Sequence, residues 1–260
     1  MINTSDPSSQ THRIQGMQHI GVAVTNMDRS LNWYRQLFGM DVPFFDSVQE
    51  APLMDSHTRG ETILKRASMV INLQGGCAFE VLQPASFDPK PASWEIAAGD
   101  LGLTTVQMKT KDIHKMHAHA RLLAGEHCDE TLSLTPWGAA TFFMGDLDGN
   151  AFQILEADDS FARTAHPSGG VLGCTIGVSD METSMNLYAN HLGYNEVIFD
   201  ETGIQSDWKH RPHGSEHYRR VRLTQSNSGA GGFGPITGRT YIELVQAKDR
   251  TGRFVFEDRI

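Results

Sequence analysis

Cysteine is scarce in this chain. Cys77, Cys128 and Cys174 are the only three in 260 residues, and no two lie close together. An odd number without a close pair excludes a disulfide framework and a zinc knuckle, and leaves buried free thiols as the expectation. Long apolar runs are also missing. No stretch reaches the length of a membrane span, and residues 1–16 lack the hydrophobic segment of a signal peptide, so a cytoplasmic protein with a loose N-terminal tail is expected. Basic side chains are outnumbered, 22 against 31 acidic ones, for a formal charge of −9. Nothing there favours nucleic acid or an anionic membrane, and the expected partner is a small molecule. Two catalytic signatures are absent as well: there is no GxSxG elbow, and the glycine-rich run GAGGFG around Gly229 lacks the GK[ST] ending of a phosphate loop. That run reads as a flexible loop or lid that does not lead into a helix.

What the chain does contain is a strand and helix written twice. Residues 17–39, MQHIGVAVTNMDRSLNWYRQLFG, begin with Ile20, Val22 and Val24 alternating with His19, Gly21 and Ala23. One face of that strand is apolar, while His19 is the one polar group on a face of small residues. Thr25 or Asn26 can cap the following helix, Asp28 suits its positive end, and Leu31, Tyr34, Leu37 and Phe38 recur at helical spacing before Gly39. The phrase returns in residues 173–193, GCTIGVSDMETSMNLYANHLG, at an offset of 154 residues without a gap. Val24 falls on Val178, Ser30 on Ser184, Tyr34 on Tyr188 and Gly39 on Gly193, while the place of His19 is taken by Gly173. Each copy is followed by a matching strand, CAFEVLQ and TYIELVQ, in which Glu80 and Glu243 correspond. The period is too long for a solenoid and indicates a duplicated supersecondary module. In the first copy, Phe79 and Val81 face the helix, so Glu80 shares a sheet face with His19.

A weaker copy lies between them. LTTVQMKT reads as its first strand, KDIHKMHAHARLLAG as its helix and FFMGDLDGNAFQILE as a hairpin turning on Asp148 and Gly149. Matching Asp112 to Asn26 puts Thr105 in the place of His19. The expected divisions are a tail (1–16), a first module (17–83), a proline-bearing linker (84–99), a second module (100–157), a linker (158–170), a third module (171–247), and residues 248–260 as a tail or the start of another module.

The strand, the helix ending in an LG step (Leu192, Gly193), and the closing strands in FEV and IEL settings resemble the vicinal oxygen chelate superfamily of glyoxalases, bleomycin-resistance proteins and extradiol dioxygenases. The resemblance covers residues 17–247. It implies an α+β fold of repeated βαβββ modules, three visible, paired into cupped incomplete barrels, with the first two forming one cup. Three modules leave the third unpaired, to be completed by a fourth module or across a homodimer interface. The resemblance also implies a metal in the concavity, held by first- and last-strand side chains. His19 and Glu80 transfer to it directly. Gln153 enters as a neutral oxygen ligand through the family's DPDGN pattern, here DLDGNAFQ, and Glu243 as a ligand in the third module. Mixed nitrogen and oxygen ligation suits Fe, Mn, Ni or Zn. The bland alternative is a His–Glu hydrogen bond with no metal.

Other histidines carry less. His210, His213 and His217 are separated by Pro212 and Gly214, so no ligand spacing is held and a solvated loop is expected. His114 and His117 read as surface positions of a helix. The function implied is a metal-dependent lyase, isomerase or dioxygenase for a small substrate with two vicinal oxygens, with Glu80 also moving a proton. Lyase or isomerase is favoured, because the dioxygenase triad needs two His in one site. The alternatives are a metal-free protein that sequesters a small ligand, with Trp94, Trp137 and Trp208 lining its cleft, and a degenerate array kept for assembly.

Overall fold

The computed structural model describes residues 14, 16–56, 58–90, 93–226 and 231–257. Its first module comprises β1 (His19–Ala23), α1 (Met27–Phe38), β2 (Val42–Glu50), β3 (Leu64–Ile71) and β4 (Ala78–Pro84). The second comprises β5 (Gly102–Thr110), α2 (Ile113–Ala124), β6 (Ser133–Leu134), β7 (Ala140–Gly145) and β8 (Ala151–Glu156). The third runs through β9 (Ser168–Gly177), α3 (Met181–Met185), which continues as a π-helical turn over Asn186–His191, then β10 (Glu196–Ile204), β11 (His217–Thr224), α4 (Gly234–Thr237) and β12 (Tyr241–Ala247). The glycine-rich run therefore does lead into one turn of helix, contrary to the sequence expectation, while Gly229 itself lies outside the described residues.

The first helix of each module, α1, α2 and α3, starts in the same way. Asn26, Asp112 and Asp180 each stand in extended backbone and accept a hydrogen bond from the N–H three residues on. α1 ends at Gly39 with φ at 61°, a left-handed conformation that lets its N–H close on Arg35. In each module the first and last strands run parallel, pairing Gly21 with Glu80, Gln107 with Gln153, and Thr175 with Glu243. Glu80, Gln153 and Glu243 therefore hold equivalent positions.

The pairing of modules differs from expectation. The first module forms a four-stranded sheet of its own, β1-β4-β3-β2, whereas the second and third share an eight-stranded sheet, β10-β11-β12-β9-β5-β8-β7-β6. They are joined where β5 pairs antiparallel with β9. The shared cup is thus built by modules two and three, and the module left unpaired is the first rather than the third. Burial records the difference: β9 is buried along almost its whole length, while β1 alternates between buried and open residues.

The first module docks through its helix. Tyr34, Leu37 and Phe38 of α1 are completely buried, in one core with Phe79, Met116, Phe142 and Phe152 from all but the third module's strands, and with Leu223 and Leu244 from those. The rings of Tyr34, Phe38, Phe79 and Phe152 pack within 6.3 Å of one another, in edge-to-face, tilted and stacked pairs. Each such pair adds about 0.5–1.5 kcal/mol beyond its buried area.

Candidate functional site

Two concave faces carry the positions singled out from the sequence, and they differ in chemistry. On the first module, strand alternation points His19 and Glu80 to the same side, and their side chains approach to 3.5 Å, Nε2 to Oε2. They remain 35% and 21% exposed. His19 also meets Gln18 Oε1 through Nδ1 at 2.9 Å, which leaves the other ring nitrogen toward Glu80. Gly21 and Ala23 beside them are exposed, as are Phe44, Phe45 and Val48 of β2, so this face is open. Among the described residues no three His, Cys, Asp or Glu side chains gather where they could hold a metal ion. His19 and Glu80 are two donors where a closed tetrahedral site needs four.

The second face lies within the cup of modules two and three. Gln153 and Glu243, 1% and 0% exposed, come together there, far from solvent and on a different sheet from His19 and Glu80. Gln107 Nε2 links them, donating to Gln153 Oε1 at 3.3 Å, Thr175 Oγ1 at 3.2 Å and Glu243 Oε2 at 3.4 Å. Both oxygens of Glu243 also face arginines of β11: Arg220 Nε lies 3.0 Å from Oε1 and Arg222 Nη1 3.3 Å from Oε2. Arg222 donates further to Gln107 Oε1 at 2.8 Å, and Arg220 donates to both oxygens of Asp207 at 2.8 and 2.9 Å. Burial raises the Asp207 carboxyl against the pull of Arg220, and lowers the Arg222 guanidinium against the pull of Glu243. Thr105, in the place of His19, meets only Arg211 Nη2 at 3.5 Å, itself held over the Phe143 ring.

Gly173 occupies the corresponding place on β9 for a steric reason. A Cβ built there would run into the backbone carbonyl of Tyr241 on the adjacent strand. Trp137 and Trp208 of the expected cleft meet in this second cup, against the arginines. Trp94 lies elsewhere, with its indole N–H on Glu257 O, beside a groove of about 1110 Å³ that Ile96, Phe143 and Arg211 also line. His213 and His217 pair with different carboxylates, Glu216 at 2.6 Å and Asp249 at 3.0 Å, while His210 is exposed. His117 is engaged by the Asp129 carbonyl at 2.8 Å. Gln107, Arg220, Arg222 and Asp207 were not singled out from the sequence. The signal was present in HYRRVRLT, where two arginines alternate with Val221 and Leu223 and so share one face of a strand.

The geometry can be set beside known proteins. A model of the Glyoxalase/Bleomycin resistance protein/Dioxygenase superfamily matches residues 16–154, more than half of the chain. The chain belongs to this superfamily. Among solved structures it resembles glyoxalase I from Zea mays, at 17% identity over 91% of this chain and 69% of that one, with a TM-score of 0.53. It also resembles a protein from Bacillus subtilis named as a candidate dioxygenase, at 16% identity over 90% of this chain and 64% of that one, with a TM-score of 0.55. At these identities the likeness is one of fold. No curated protein matches in sequence. Members of the superfamily bind small-molecule substrates, and the cupped, half-barrel sheet is of the glyoxalase type. No helix of the described residues is long and apolar enough to cross a membrane.

Proposed function

We propose that this chain is a glyoxalase-like, metal-dependent lyase, isomerase or dioxygenase for a small substrate with two vicinal oxygens, and that its chemistry is carried by the first module. The observation behind this reading is the accessible His19–Glu80 pair at 3.5 Å, one imidazole nitrogen and one carboxylate turned to an open sheet face. Those donors fit half of a site for Fe, Mn, Ni or Zn. A bound divalent metal supplies Lewis-acid polarisation to neighbouring substrate oxygens. His19 and Glu80 would hold such an ion, and the Glu80 carboxylate would take up a proton from the adjacent substrate carbon and return it. Each chain brings one His to this face, and the set that two copies would form carries two carboxylates where the oxygen-activating triad has one, so lyase or isomerase chemistry is favoured.

The missing donors come most simply from a second copy. β1 is an edge strand, whereas its counterparts β5 and β9 pair antiparallel with each other. Two β1 strands joined in that manner bring two His19 and two Glu80 around one two-fold axis, a self-complementary interface. The three free, buried cysteines fit a reducing, cytoplasmic setting.

The test is metal content per chain after purification without chelator, in the wild type and in His19→Ala/Glu80→Gln. One metal per two chains, lost in the variant, is expected. A wild type without metal would sink the enzyme reading. It would turn attention to metal-free ligand binding in the groove of about 1110 Å³ lined by Trp94, Ile96, Phe143 and Arg211, where binding would be indifferent to chelator.

A further inference from the structure

The superfamily resemblance implies metal ligation by Gln153 and Glu243 as well, yet the donor set of the second cup does not fit a cation. Both oxygens of Glu243 already face guanidinium nitrogens, at 3.0 and 3.3 Å. The Gln107 and Gln153 carbonyl oxygens are also taken, by Arg222 Nη1 at 2.8 Å and Gln107 Nε2 at 3.3 Å. Among the described residues, the buried polar atoms left without a hydrogen-bond partner here are Arg220 Nε, which meets Glu243 as an ion pair, Arg220 Nη2 and Gln153 Nε2, all of them donors, whereas a metal needs lone pairs.

We infer that the guanidinium groups of Arg220 and Arg222 stand permanently where a metal would sit, making the second cup an interior whose carboxylates are already matched by cations and which binds no metal. Around Glu243 the charges pair off: the buried guanidinium groups of Arg220 and Arg222 face the buried carboxylates Glu243 and Asp207, and Arg211 brings a further cation to Thr105. A divalent ion would add positive charge beside guanidinium groups that already match these carboxylates, at low local dielectric. The arginines are also held from both sides. Arg220 lies between Trp208 and Trp137, at 4.3 and 4.8 Å from their rings, and Arg222 between Trp137 and Tyr241, at 4.6 and 4.3 Å. The result is a ladder of alternating rings and cations, Trp208, Arg220, Trp137, Arg222, Tyr241. Trp137 enters it from the second module and the other four from the third, so the ladder also fastens the two modules together. Beside this ladder lies a cavity of about 10 Å³ lined by Thr105, Thr175, Phe143, Trp208 and Arg211, about the room of a single water.

This goes beyond the proposed function and is tested separately from it. Co2+ is titrated into metal-free wild type, His19→Ala/Glu80→Gln and Glu243→Gln, with bound metal read by equilibrium dialysis and folding by circular dichroism and thermal unfolding. The expected result is that Glu243→Gln binds as much Co2+ as the wild type but unfolds at a lower temperature, because two guanidinium groups lose their shared carboxylate. His19→Ala/Glu80→Gln, altered only on the open face, is expected to bind none. The inference is overturned if His19→Ala/Glu80→Gln still takes up stoichiometric Co2+, or if folded Glu243→Gln takes up measurably less Co2+ than the wild type. Should Glu243→Gln not fold, the open-face variant decides alone. A wild type that takes up no Co2+ leaves this inference standing while removing the metal reading of the first module.

Discussion

Asp148 is the side chain on which docking of the first module turns. Its Oδ1 accepts from the Thr25 N–H at 2.9 Å and from Arg29 at 3.0 Å, and its Oδ2 accepts from the Ser30 hydroxyl at 3.0 Å. Burial pushes its carboxyl up, but the Thr25 and Ser30 hydrogen bonds and the Arg29 charge outweigh it and hold the group below the ordinary 3.8. A depressed folded-state value means that its stabilisation is present above the unfolded value and lost as pH falls below about 3.8. Asp146, in contact with Tyr34, works in the opposite sense: burial raises it despite the Tyr34 and Asn150 bonds, so its contribution weakens as pH climbs through the raised value. Asp148→Asn should therefore flatten the acid limb of stability against pH while leaving the decline above it. Urea midpoints taken across the acid range would show this, and an unchanged acid limb would remove Asp148 from the account.

At the scale of the element, β9 shows why the third module cannot simply be repaired into a metal site. Its Gly173 lies where a side chain would strike the Tyr241 carbonyl of β12, and backbone within a paired strand cannot swing aside as a side-chain tip can. Gly173→Ala should cost on the order of 1–3 kcal/mol, the usual range for overpacking, and Gly173→His more, without creating a ligand. A Gly173→Ala protein as stable in urea as the wild type would refute the close approach. The helices tell the complementary story. The cap of α1 was legible in the sequence as Thr25 or Asn26, because a cap is a local hydrogen bond between a side chain and an N–H three residues away; the structure gives Asn26 and adds Asp112 and Asp180 at the matching places.

For the whole molecule, the unpaired first sheet sets the expected assembly. If two copies complete the His19–Glu80 site through β1, metal and self-association are linked: added Zn2+ should move the wild type from monomer to dimer and leave His19→Ala monomeric. Sedimentation at several concentrations, with and without metal, measures it. Dimerisation equal in both proteins, or in neither, would separate the metal from the interface.

The sequence by itself determined the repeat of strand and helix and the shared face of His19 and Glu80, because periodicity, capping and strand alternation act over a few residues, while the βαβββ pattern was what its family resemblance implied. It also placed Gln153 and Glu243 at equivalent points, although the partners that engage them stayed hidden. Only the tertiary structure decided that β5 meets β9, that the first module is the one left open, and that Arg220 and Arg222 fill the second cup. Those outcomes depend on which strand edges meet and on what a side chain 21 or more positions away brings to Glu243, and neither is encoded in the pattern of any single element.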